Sequence, residues 1–103
     1  MARAAEDPFL APIQQMTTEV AWGQVWSRPG LALKVRSFLS IAFIAALGKH
    51  DELRTHIRGA LNNGATPEEL TEVLLQAAIY CGIPASLESF RIAKEVLDER
   101  STT

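Results

Sequence analysis

Residues Phe38–Leu47 read FLSIAFIAAL, with Ser40 as the one polar side chain. Unbroken apolarity removes the periodicity that separates strand from helix, so length and composition decide. The run is longer than a typical strand of about five or six residues. Its alanines favour helix, and Lys34, Arg36 and Ser37 before it extend the element to about 15 residues. Gly48 follows the last turn, where a left-handed residue ends a helix. A helix apolar on nearly every side is expected to be buried on nearly every side. It is too short to cross a bilayer, which takes about 20 residues. The expectation is a central core helix. A small chain cannot easily surround such a helix, so the alternative is that a partner subunit covers part of it.

Outward from this run, the chain reads as one domain of 103 residues. Apolar residues make up 48%, generous for a monomer that buries roughly two-thirds of its extended surface. The net charge of -2, with no basic run or stripe, gives no nucleic-acid footprint. Arg3 is followed by no hydrophobic signal segment, no run is long enough to span a membrane, and the lone Cys81 excludes an internal disulfide. A cytoplasmic location is expected. Residues 1–7 read as a flexible N-terminus, 8–100 as a single helical domain and 101–103 as a frayed end.

Before the central run, Pro8 to Val25 or Trp26 reads as a first helix, with Phe9, Ile13, Met16 and Val20 at helical spacing and Pro12 able to start it. Trp22 and Trp26, four apart, share a face, as core, interface or pocket wall. Arg28-Pro29-Gly30 breaks the chain. After a turn at Gly48–His50, a helix from Asp51 to Asn63 carries Leu53, Ile57, Ala60 and Leu61 on its apolar face. Thr66-Pro67-Glu68-Glu69 is a capping box with proline at the first helical position. That helix carries Leu70, Val73, Leu74, Ala77, Ala78 and Cys81. Gly82-Ile83-Pro84 breaks it, and a last helix from Ala85 to Glu99 should face Leu87, Phe90, Ala93 and Leu97 inward, with Ile92 and Val96 widening the face. The fold class is therefore all-α, a compact bundle of about five helices joined by short connections.

For chemistry, His56 stands out. It borders an apolar helix face, where burial tunes an imidazole near neutrality, although a boundary histidine bonded to a neighbouring helix has the same pattern. His50 reads as a solvated turn residue. Glu52 and His56 are four apart and form an acid–base unit or an ordinary surface pair, and no third residue completes a metal site. Arg28, Arg36, Arg54 and Arg58 are of the type that clamps carboxylates, or salt-bridged surface residues. Cys81 reads as packing, and Tyr80 places a hydroxyl near a helix end. No phosphate loop or cofactor motif is present.

Several blocks taken together carry more than any one of these. They are Ala21-Trp22-Gly23, Trp26-Ser27-Arg28-Pro29-Gly30-Leu31, Arg54-Thr55-His56-Ile57-Arg58, Asn62-Asn63-Gly64, Glu69, and Tyr80-Cys81-Gly82-Ile83-Pro84. From about Gln14 to Glu99 the chain resembles the gamma-carboxymuconolactone decarboxylase family, within the alkylhydroperoxidase-like superfamily. Peroxidase-type members of that superfamily have a CxxC pair, a histidine four residues after it, and an upstream glutamate. Counting back from His56 puts Lys49 and Glu52 at the cysteine positions and Ser37 near the glutamate, so thiol peroxidase chemistry is not expected. The resemblance implies cofactor-independent decarboxylation of 4-carboxymuconolactone to 3-oxoadipate enol-lactone, in bacterial breakdown of aromatic acids. Position within these blocks and chemical type make His56 the candidate general acid, Arg28, Arg54 and Arg58 candidate contacts to a small anionic lactone, and Trp22, Trp26 and Tyr80 candidate pocket walls. The resemblance also implies a homo-oligomer, hexameric as a trimer of dimers. Two features depart from the family: a short stretch before Ala21, and Leu87 and Glu88 after Pro84. They leave open a paralogue acting on another small lactone or keto acid, or an oligomeric small-molecule-binding protein without turnover.

Overall fold

The predicted helices are all present in the computed structural model, which describes residues 6–101, and none of these residues forms a strand. The expected flexible N-terminus and frayed end fall largely outside those residues. By their internal contacts the residues form two compact units, Met1–Ala32 and Leu33–Thr103.

In the first unit Asp7 organises the opening turn. Its Oδ1 accepts from the Phe9 N–H at 2.8 Å, and its carbonyl from Ala11 at 2.7 Å. Helix α1, Ala11–Met16, takes Pro12 in its first turn, where the missing N–H costs nothing. The single α-helix expected through Trp26 then changes winding, for Thr17–Trp26 is a π-helix. Two features accompany the wider turns. Thr17 Oγ1 donates to the Ile13 carbonyl at 2.8 Å, a back-bond that bends helices. At Gly23 a Cβ would lie 3.3 Å from the Thr18 carbonyl oxygen, so the bare backbone fits the local path. Trp22 and Trp26 share a face as the spacing predicts, with ring centroids 5.2 Å apart and planes tilted by 35°.

The second unit holds α2 (Leu33–Leu47), α3 (His50–Asn62), α4 (Pro67–Cys81) and α5 (Ile83–Ser101). Helix α2 packs on α3 and α4, and α5 packs on α3, α4 and α2. Ion pairs give the directions. Lys34 meets Glu69 at 3.1 Å, joining the starts of α2 and α4. Arg54 meets Glu95 and Arg58 meets Glu99, a constant offset that makes α3 and α5 parallel. Two helical hairpins, α2–α3 and α4–α5, thus lie side by side with like ends together. Ile41, Leu53, Ile57, Leu74, Ile92 and Val96 are fully buried between them.

Capping chemistry sets the boundaries. Gly48 ends α2 at φ 70 and Gly82 separates α4 from α5 at φ 98, where side chains are strained. The capping box forms as the sequence predicts, with Thr66 Oγ1 accepting from the Glu69 N–H at 3.1 Å and Glu69 accepting from the Thr66 N–H at 3.0 Å. Thr66→Ala is expected to cost about 1 kcal/mol of unfolding free energy, read as a lower urea midpoint at unchanged slope.

Three expectations are corrected. Helix α2 is not wrapped: only Ser37, Ile41 and Ala45 are buried, while Phe43 is 64% and Leu47 70% exposed. Its apolarity exceeds what three neighbouring helices can cover. Helix α3 begins at His50, so this histidine belongs to its first turn rather than to a loop. Helix α5 begins at Ile83, and its inward stripe is Ser86, Ser89, Ile92, Ala93 and Val96, with Leu87 exposed. The serines hide their polarity, Ser86 Oγ donating to the Leu74 carbonyl at 2.6 Å and Ser89 Oγ to that of Ala85 at 3.0 Å. Small side chains whose hydroxyls are satisfied let two helices approach closely.

Candidate functional site

Helix α3 places three of the predicted site residues within five positions, but on two flanks. Leu53, Ile57 and Ala60 seat its centre in the core. Arg54 and Arg58, one turn apart, lie on the flank toward α5. His56 lies on the other flank. Asn63, seven residues on and so on the same side, donates from Nδ2 to Ser37 Oγ of α2 at 3.2 Å. Ser37 stands near the position where the peroxidase pattern has a glutamate, and here it is a buried partner in a helix–helix hydrogen bond.

His56 is half-buried, and that burial pushes its pKa below the ordinary value by penalising the charged ring. Glu52, one turn earlier, acts in the opposite sense and favours the imidazolium. A ring held in this balance can carry a proton to an anionic substrate, because the substrate's own charge restores the protonated form.

The arginines on the far flank are engaged. Arg54 Nη1 lies 2.9 Å from Glu95 Oε1. Arg58 grips Glu99 with two nitrogens, Nε at 3.3 Å and Nη2 at 3.0 Å. The Arg54 guanidinium is the main reason the Glu95 carboxyl sits below the usual range. Both glutamates are absent from the sequence-based site. Their signal was a matched spacing, an arginine pair and a glutamate pair each four residues apart.

The remaining predicted residues are not gathered around His56 by the four-helix unit. Tyr80, in the last turn of α4, is 83% exposed, on the helix opposite α3 in the ring. Trp22, Trp26 and Arg28 belong to the first unit. Among the grooves that the described residues form beside α4, the two roomiest are open and apolar. One, of about 420 Å³, is lined by Val35, Phe38, Leu39 and Val73 with Glu69 and Glu72 at its edge. The other, of about 710 Å³, is lined by Leu75, Ile79, Ile83, Leu87 and Phe90. Neither carries a cation, which unsuits them to an anionic lactone, and His56 lines neither. Among the described residues no three His, Cys, Asp or Glu side chains group as metal ligands, and no helix is long and apolar enough to cross a membrane.

Comparison with known proteins extends the resemblance. The chain is 45% identical over 91 residues to a 4-carboxymuconolactone decarboxylase of Acinetobacter baylyi, covering 88% of this chain and 68% of that protein. It is 44% identical over 92 residues to a nitrosuccinic acid decarboxylase of Metarhizium robertsii, covering 89% of this chain and 64% of the relative. An uncharacterised 15.0 kDa protein of Paracoccus denitrificans is 35% identical over 83 residues, covering 79% of this chain and 62% of its own length. The chain thus spans about two-thirds of the length of these relatives. The profile of the carboxymuconolactone decarboxylase family matches residues 11–95, from the start of α1 to Glu95 of α5 and with His56 inside the match, and the chain belongs to that family.

Proposed function

We propose that this protein is a carboxy-lyase that releases CO2 from 4-carboxymuconolactone or a close analogue, with His56 delivering the proton that replaces the lost carboxylate. The observation that carries the reading is family membership together with 45% identity to a 4-carboxymuconolactone decarboxylase. The bond that breaks joins the carboxylate to a ring carbon gamma to the lactone carbonyl. Its electron pair moves through the intervening C=C bond onto the carbonyl oxygen, giving a dienolate, and the carboxylate carbon leaves as CO2. The carbon alpha to the carbonyl then takes a proton from the His56 imidazolium, and the ring regains one from water. Since the substrate holds its own electron sink, the step needs no cofactor. Donors fixed near the carbonyl oxygen favour the dienolate, and Arg28 is the candidate cation for the carboxylate that remains. Trp22, Trp26 and Tyr80 are candidate walls. The assembly proposed is a homo-oligomer, a trimer of dimers, and the location cytoplasmic.

The second named relative supports a wider substrate class. Nitrosuccinic acid and 4-carboxymuconolactone are both small dicarboxylic acids, and each can pass the electrons left by CO2 to an electron-withdrawing group. Nitrosuccinic acid is therefore the alternative substrate. The test is CO2 release from each acid by purified protein without added metal or cofactor. Release from 4-carboxymuconolactone with the larger kcat/KM is expected. Release from nitrosuccinate alone would move the substrate, and folded protein inert toward both would remove the enzymatic reading.

A further inference from the structure

We infer that Glu95 and Glu99 of α5 are positioning residues for His56, acting through Arg54 and Arg58. The inference rests on His56 as the proton donor, and it gives the two arginines a task away from the substrate.

The geometry is a ladder. Arg54 and Arg58 are one turn apart on α3, Glu95 and Glu99 one turn apart on α5, and the parallel helices bring them into register at 2.9 and 3.0 Å. Arg91 continues the ladder along α5, reaching Glu95 at 3.2 Å and Glu88 at 2.9 Å. On the opposite flank α3 has the Asn63–Ser37 hydrogen bond at 3.2 Å. Between the flanks lies the apolar stripe Leu53, Ile57 and Ala60.

An apolar stripe holds a helix in place but sets its rotation weakly, because hydrophobic attraction has no direction. Bidentate guanidinium–carboxylate bonds do have direction. His56 projects from the same helix on the other side of that stripe, so any roll of α3 carries the imidazole with it. At about 5–6 Å from the helix axis, a roll of roughly 10° moves the ring by about 1 Å. Misplacement on that scale costs about a hundredfold in rate. The paired side chains are 31–51% exposed, so the pairs add little to stability, and their worth lies in orientation. Arginines already bound to carboxylates also have fewer donors left for a substrate.

The test uses the full chain and the variants Glu95→Gln/Glu99→Gln, Arg58→Glu, and the charge swap Arg58→Glu/Glu99→Arg. Three quantities are read: kcat and KM for CO2 release, Tm, and the His56 ring proton resonances of the unliganded protein. The double glutamine variant is expected to lower kcat by about tenfold to a hundredfold with KM unchanged. Its Tm should change little, and its His56 resonances should shift. The swap should return kcat to within about threefold of the parent, since it restores one rung. A swap as slow as Arg58→Glu with a raised KM would overturn the inference, for Arg58 would then touch the substrate. Unmoved His56 resonances with unchanged kcat would overturn it too, leaving the ladder as a helix tie only. Should the parent release no CO2, the enzymatic reading fails by itself, and the resonances still decide whether the ladder sets His56.

Discussion

Replacing His56 with glutamine is expected to slow CO2 release by about 10²–10⁴-fold, the usual worth of a positioned acid. Glutamine keeps a hydrogen-bond donor of similar reach but has no proton to give at neutral pH. The position is half-buried, at the edge of the stripe formed by Leu53, Ile57 and Ala60, so an unchanged Tm separates loss of chemistry from loss of fold. Turnover near that of the parent would remove the acid assignment.

The pH profile gives the same assignment an independent check. The reactive form is the imidazolium, so kcat/KM should fall as pH rises through the pKa of free His56. Burial places that pKa below the ordinary value of about 6.5, so the fall should lie at lower pH than for a free imidazole. In the complex a dianionic substrate attracts the imidazolium and raises the pKa, so the descending limb of kcat should lie at higher pH than that of kcat/KM. Glu52→Gln removes the charge that favours the imidazolium and should move the kcat/KM limb further toward acid. Stability has its own sign. Because the unfolded imidazole takes up a proton more readily than the folded one, His56 contributes a loss of stability as pH falls through about 6.5 toward the folded pKa.

How much of this was visible in the sequence depended on which signals are local. The capping box at Thr66 and the left-handed Gly48 are decided within a few residues, and they form as read. The apolar face of α3 follows helical spacing and was legible for the same reason. The inward face of α5 was legible at Ile92, Ala93 and Val96 but not at its start, where Leu87 is exposed, because Ser86 and Ser89 count as polar in any periodicity yet bury small hydroxyls bonded to helix carbonyls. The winding of Thr17–Trp26 was hidden because an i→i+5 turn leaves the same residues roughly four apart on one face, as Trp22 and Trp26 are. At the site, His56 could be chosen by residue type and neighbours. The partners of Arg54 and Arg58 could not, because Glu95 and Glu99 are brought to them by the parallel packing of α3 and α5.

The double variant Leu39→Glu/Phe43→Glu is expected to break the protein into single chains. The stretch Phe38–Leu47 presents two faces. Ser37, Ile41 and Ala45 enter the core of the four-helix unit. Val35, Leu39, Phe43 and Leu47, each four residues after the last, make an exposed apolar row along the same helix. Rows at this spacing are the ridges by which helices pack into one another's grooves. The groove lined by Val35, Phe38, Leu39 and Val73 runs beside that row, so ridge and groove are both available on one chain. A contiguous apolar surface on this scale is characteristic of an interface, and in a symmetric assembly each substitution is repeated in every copy. A buried charge without a partner costs several kcal/mol, so the dissociation constant should rise by about a thousandfold or more. Glutamate is a good helix former and both positions are exposed in the single chain, so the separated chains should keep their helicity, with Tm lowered by the lost association. Light scattering decides the matter: the parent should have the mass of several chains at micromolar concentration and the variant that of one. A parent with the mass of one chain would return the row to open solvent, and a variant that keeps the parent's mass would place the interface on the Leu75–Leu87 groove instead.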